Sequence, residues 1–243
     1  MIRYVSTKGG IAPENFDDAV LQGFAADGGL FVPDRIPTVS LKQLEQWADF
    51  DYVELAEAVL SAYIDPTIIP RNDLKKLLNA SFLEFEIAEK IPVIPLGDNN
   101  IFIMELFHGP TLSFKDVAMG FLIQTMDYFL AKRAERLSLV LATTGDTGPA
   151  AAHASVGKKT IDCWPLYPLG MISEEQRRQM TTLSAANVHP VGVQHCPNGG
   201  DDLDIVVSRL FADSERKKRL NLSSVNSINW CRVLVQTVHY FHA

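Results

Sequence analysis

Leu137-Ser138-Leu139-Val140-Leu141-Ala142-Thr143-Thr144-Gly145-Asp146-Thr147-Gly148-Pro149 changes character halfway along. Leu137 to Ala142 is an apolar strand. Thr143 to Gly148 supplies a tight turn, because Gly145 and Gly148 accept backbone angles that other residues resist. Pro149 then suits the first turn of a helix over residues 147–156, where its missing N–H costs nothing. A strand feeding a helix through a glycine turn is the repeating unit of an α/β fold.

The same alternation extends in both directions. Downstream, the pattern predicts a strand over 160–166 that Pro165 interrupts, a helix over 174–183, a strand over 188–193, and a helix over 201–220. That last helix carries Leu203, Val206, Val207, Leu210 and Phe211 on one stripe. Helix resumes at Ile228 and runs to the end. Upstream lies a long, largely apolar helix over 115–133. Before it, Pro92 to Leu96 and Ile101 to Leu106 flank a Gly97-Asp98-Asn99-Asn100 turn and read as a hairpin. Residues 1–90 read as mostly helical. Asn15 is placed to cap one helix and Ser40 with Gln43 forms a capping box for another. Leu55, Val59, Leu60 and Tyr63 mark a third, ended by Pro66. Leu74, Leu77, Leu78, Phe82 and Phe85 mark a fourth. The expected fold class is α/β. A helical N-terminal region (1–90) precedes a mainly parallel, doubly wound sheet (91–243). Phe241-His242-Ala243 offers no cap, glycine or polar tail, so the sheet domain is expected to be incomplete at its C-terminus.

Composition removes several functions. Apolar residues make up 47% of the 243, which supports a packed core. A net charge of −7 without a long basic run excludes nucleic acid as the expected partner. Arg216-Lys217-Lys218 is short and suits a helix C-terminus. Three widely spaced cysteines without a CxxC argue for a reducing compartment and against a disulfide framework or a zinc site. With neither an apolar leader nor a membrane-length stretch, a cytoplasmic location is expected.

Chemistry is densest in Glu105-Leu106-Phe107-His108-Gly109-Pro110-Thr111-Leu112-Ser113-Phe114-Lys115-Asp116, which joins a strand end to a helix start. A lysine there meets the unfavourable end of the helix dipole in apolar surroundings. Both effects lower its pKa and make it a better amine nucleophile. The plainer alternative is a lysine whose stem packs while its head reaches water or pairs with Asp116. Thr144-Gly145-Asp146-Thr147-Gly148 is a candidate anion cradle at a helix N-terminus, or an ordinary capped turn. It is neither a Walker A loop nor GxGxxG. Asn226-Ser227-Ile228-Asn229-Trp230-Cys231-Arg232 places polar groups at a helix start. Ser227 or Asn226 is the natural cap, and Asn229 and Arg232 share a face that binds an anion or meets water. The histidines do not cluster, no GxSxG elbow occurs, and residues 199–204 lack EF-hand spacing.

Taken together these segments resemble threonine synthase, a family of fold-type II (tryptophan synthase β-like) enzymes that use pyridoxal 5′-phosphate (PLP). Tyr4 to Thr7, Asp27 to Pro33, Phe107 to Asp116, Thr144 to Gly148, Gln176 to Thr182 and Asn226 to Arg232 carry the likeness in order. The resemblance implies conversion of O-phospho-L-homoserine and water to L-threonine and phosphate. Lys115 would hold the cofactor and move protons. Phe114 and Asp146 would be further cofactor contacts. Thr144, Gly145, Thr147 and Gly148 would take the substrate carboxylate. Asn226, Ser227, Asn229 and Arg232 would lie near its phosphate. Two stretches depart from the family: residues 166–171 lack its basic residue, and residues 194–202 replace its Gly-Asn-Phe-Asp-Asp. The family's PLP-phosphate loop falls beyond Ala243, so weak PLP binding is expected of these residues alone. The alternatives are a related phospho-lyase, a silent chain that only associates, and a phosphate-binding module without PLP.

Overall fold

The computed structural model describes residues 1–97, 100–226 and 228–243. They divide into two units, Met1–Phe121 with Ser227–Ala243, and Leu122–Asn226. In the first unit β1 (Tyr4–Ser6) is followed by α1 (Phe16–Gln22) and pairs antiparallel with β2 (Phe31–Pro33). Helical periodicity over 1–90 misses this ribbon, because strands of three residues are too short for alternation to register. Asp27 fastens it. One carboxylate oxygen accepts from the Ser6 hydroxyl (2.7 Å) and the Gly29 N–H (2.9 Å), the other from the Gly10 N–H (2.8 Å).

Helices α2 (Leu41–Trp47), α3 (Tyr52–Ser61) and α4 (Arg71–Ser81) follow. The Ser40–Gln43 capping box is present, and Asp51 with Glu54 forms a second one for α3. Asn15 stands at the N-cap of α1 but makes no cap bond; its oxygen accepts from Arg3 instead. Tyr63 lies beyond the end of α3. The hairpin forms, with β3 (Val93–Pro95) antiparallel to β4 (Phe102–Met104) and Ile94 opposite Ile103. Asp98 and Asn99 of its turn lie outside the described residues. Helix α5 (Lys115–Arg133) has the predicted bounds.

In the second unit β5 (Leu137–Ala142) leads through α6 (Thr147–Ser155) to β6 (Ile161–Pro168), and through α7 (Glu174–Thr181) to β7 (Val191–Val193). The chain returns through α8 (Gly200–Ala212) and α9 (Ser214–Arg219) to β8 (Leu222–Ser223), on the far side of β5. The order is β7-β6-β5-β8 and every pair is parallel. Register assigns the faces. Leu139 lies beside Cys163 on one, and α6 packs there with Ser155 against the Cys163 thiol. Val140, Leu222 and the partly buried Ala142 and Leu166 lie on the other, packed with Val207, Leu210 and Phe211 of α8. The sheet is thus wound on both faces, as the alternation predicts.

Several boundaries differ from expectation. Strand β6 continues past Pro165, because the missing N–H falls where its neighbour changes. Cys163 pairs with the backbone at Asn187 and His189, and β7 begins only opposite Leu166. The helix expected over 201–220 breaks at Asp213, which ends α8 and caps α9 by accepting from the Arg216 N–H. Strand β8 is too short for periodicity to reveal. The C-terminal segment forms α10 (Trp230–Thr237) and α11 (His239–His242) in the first unit. Among the described residues no helix is long and apolar enough to cross a membrane.

Candidate active site

Lys115 is the first residue of α5, and the loop before it is held by its neighbour. The buried Asp116 carboxylate turns back to accept from the Thr111 N–H (2.8 Å), the Thr111 hydroxyl (2.6 Å) and the Ser113 N–H (3.4 Å). Gly109 is required by this fold-back, since a Cβ there would lie 2.5 Å from the Cβ of Asp116. Leu112 adopts a positive φ of 58° at the loop's exposed tip. The half-buried Lys115 carries its Nζ 4.4 Å from the ring centroid of the exposed Phe114, a cation–π contact. Upstream, His108 Nε2 lies 2.6 Å from Glu105.

In the second unit the sheet reverses direction at β5, and ligands of open α/β sheets bind outside the carboxyl ends of strands at such a point. Thr143 to Gly148 leave the carboxyl end of β5; Ser224, Val225 and Asn226 leave that of the adjacent β8. The structure therefore places Asn226 and the glycine turn on neighbouring strand ends. The turn is shaped by Thr143. Its hydroxyl oxygen accepts from the N–H of Gly145 (3.1 Å) and of Gly148 (2.9 Å), so these two donors of the expected cradle already have an acceptor. Gly145 has φ +121° and lies under the side chain of Gln176, which a Cβ would strike. Asp146 stands at the N-cap of α6 without a cap bond; its Oδ1 accepts from Gln176 Nε2 at 3.0 Å. Thr144 and Asp146 are exposed and Thr147 is partly so.

The third segment resolves differently. Ser227 lies outside the described residues. The N-cap of α10 is Asn229, not Asn226 or Ser227. Its buried amide accepts from the Cys231 N–H (3.1 Å) and donates to the Val20 carbonyl (2.8 Å), tying α10 to α1. Arg232 is 3% exposed, and burial pushes its guanidinium pKa down. Neither member of the shared face meets water.

A family model described as "Threonine synthase N terminus" matches residues 3–82. The threonine synthase of Pseudomonas aeruginosa is 40% identical over 100% of this chain and 50% of its own length. A "Threonine synthase-like 2" of Xenopus laevis is 38% identical over 99% of this chain and 50% of its own. A PLP-bound threonine synthase from Brucella melitensis superposes with a TM-score of 0.91 at 41% identity. That match covers 99% of this chain and 51% of the other. Along nearly its whole length the chain is similar to about half of a threonine synthase. It spans about half the length of the curated relatives it matches.

Two residues that shape the turn carry little signal in the sequence. Thr143 gives no motif signal beyond standing before the turn. Gln176 opens one of the segments that carry the resemblance and is the N3 partner of Ser173 in a capping box, but neither signal reveals its reach to Asp146.

Proposed function

We propose that this chain is the lysine-bearing part of a PLP-dependent carbon–oxygen lyase that converts O-phospho-L-homoserine and water to L-threonine and phosphate. Lys115 carries the reading: a half-buried primary amine opening α5, in a chain 41% identical over 99% of its length to a PLP-bound threonine synthase. The residues fit the cofactor. The amine lies beside an aromatic ring, and its loop is ordered by Asp116. When bound, PLP supplies an electron sink.

Lys115 Nζ, on a flexible stem, holds the cofactor and carries protons as general acid and base. Phe114 flanks it. Asp146 contacts the cofactor. Thr144, Gly145, Thr147 and Gly148 form the seat of the substrate carboxylate at the start of α6, where the helix dipole favours an anion. With the Gly145 and Gly148 N–H groups bonded to Thr143, the exposed Thr144 and the Thr147 end of the seat meet the anion first. Asn226, Ser227, Asn229 and Arg232 serve the phosphate end. Asn229 does so by fixing the start of α10, since both ends of its amide are bonded. In this reading residues 1–90 are the family's N-terminal region and residues 91–243 its PLP-binding α/β region. The three buried free thiols suit a cytoplasmic protein.

A second reading is a phospho-lyase acting on a related substrate. The similarity to a threonine synthase-like protein favours it, together with the departures over 166–171 and 194–202. Product analysis separates the two: threonine supports the first, a 2-oxo acid the second. The cofactor assignment is tested by titrating the purified chain with excess PLP, reducing with borohydride and mapping the label by mass spectrometry. Stoichiometric label on Lys115, lost in Lys115→Ala, is expected. Label scattered over surface lysines overturns the assignment.

A further inference from the structure

Gln176 makes more contacts than a capping residue needs. The Ser173 hydroxyl accepts from the Gln176 N–H (3.2 Å), and the Ser173 N–H donates to Gln176 Oε1 (3.1 Å). In such a box the rest of the N3 side chain is free to point into solvent. Here the other end of the amide reaches back to the β5–α6 turn, with Nε2 3.0 Å from Asp146 Oδ1. The orientation of the amide is forced. Its oxygen faces an N–H, so a flip would set donor against donor, and only the NH2 is left to face the carboxylate.

The surroundings explain why Asp146 is available to it. An aspartate at an N-cap ordinarily accepts from the N–H of the second or third helical residue. In α6 that duty falls to Thr143, whose hydroxyl accepts from Gly148 N. Asp146 is thereby released from capping and held from outside by α7. Gly145 completes the arrangement, because any side chain there would occupy the space of the Gln176 amide.

We infer that Gln176 is a positioning residue that fixes the Asp146 carboxylate by a directed N–H, making the α7 capping box also the clamp on the β5–α6 turn. The functional consequence rests on the proposed role of Asp146 at the cofactor; the clamp itself does not. Gln176→Glu separates clamp from scaffold. Glutamate is an equally good capping-box residue and nearly isosteric, so α7 keeps its start while a carboxylate replaces the amide that faced Asp146.

Two measurements decide the matter. In the cofactor-free chain, side-chain amide hydrogen exchange by NMR is expected to show the Gln176 NH2 protected by roughly tenfold. That protection is lost in Asp146→Ala while the circular dichroism spectrum is unchanged. Exchange that is fast in the wild type, or indifferent to Asp146→Ala, overturns the clamp. In the PLP-loaded chain, the pH midpoint of the visible band is expected to move upward by about one unit in Gln176→Glu, because an added negative charge near Asp146 raises neighbouring pKa values. An unchanged midpoint with full label on Lys115 overturns the positioning role. No label on Lys115 in the wild type instead defeats the proposed function and leaves the exchange result to judge the clamp.

Discussion

The hydroxyl oxygen of Thr143 lies 2.9 Å from the amide nitrogen of Gly148 and caps α6 from the turn that leaves β5. The same oxygen takes the Gly145 N–H, so one buried side chain satisfies two buried donors. Thr143→Val keeps the shape and removes the acceptor. The expected loss is about 2–4 kcal/mol, since each orphaned donor keeps its desolvation cost. Thr143→Ser keeps the acceptor and is expected to lose only about 1 kcal/mol for the missing methyl. Urea unfolding of the two variants checks this, and equal losses would sink the assignment.

Gly148 also tests how tightly this turn is packed. Alanine in a helix ordinarily gains about 0.5–1 kcal/mol over glycine. At position 148 its Cβ would stand 2.5 Å from Thr143 Cγ2 and 2.7 Å from Met180 Sδ. Gly148→Ala is therefore expected to cost a net 1–3 kcal/mol. Because Thr143→Ser removes one of the two colliding atoms, the double variant is expected to be more stable than the sum of the singles. Strict additivity in a double-mutant cycle would contradict the packing.

The contrast between the two units shows what the sequence makes legible. Strand β5 and helix α5 were readable to the residue because each is long for its type and largely apolar, so pattern and length agree. The double winding followed from their alternation. The ribbon of β1 and β2 and strand β8 were not readable. Their two or three residues are fixed by partners distant in the chain, as with Ser6 and Asp27. Lys115 and the glycine turn stood out by residue type at a strand-to-helix junction. Gln176 did not, because its work is done by a hydrogen bond across the fold, to Asp146 30 positions away. Thr143 did not, because its bonds to Gly145 and Gly148 are local but a threonine before a turn has no distinguishing spacing. Asn229 stood out as polar and is buried as a cap, a distinction that depends on Val20.

That burial makes Asn229 sensitive in a chemically specific way. Asn229→Ala leaves the Val20 carbonyl and the Cys231 N–H without their partner and is expected to cost about 2–4 kcal/mol. Asn229→Asp should be worse at neutral pH, since it sets a buried carboxylate against a carbonyl oxygen. Acidification is expected to restore part of the loss, because a protonated carboxyl can donate to Val20. Denaturation of the two variants between neutral and acid pH measures this; parallel pH profiles would refute it.

His239 supplies the opposite pH dependence in the native chain. The Tyr52 hydroxyl meets its Nδ1 at 3.0 Å, and among the described residues its buried Nε2 has no hydrogen-bond partner. Burial first, and His242 second, lower its pKa from 6.5 to about 4. A histidine depressed in the folded state is neutral there while the unfolded chain still binds the proton. Its contribution is complete above pH 6.5 and is lost as pH falls toward 4. The slope is at most about 1.4 kcal/mol per pH unit. His239→Asn removes the titration. The difference in stability between wild type and variant, measured by urea unfolding, should therefore shrink steadily from pH 7 to pH 4. A difference that stays constant across this window would show that His239 is not held neutral by the fold.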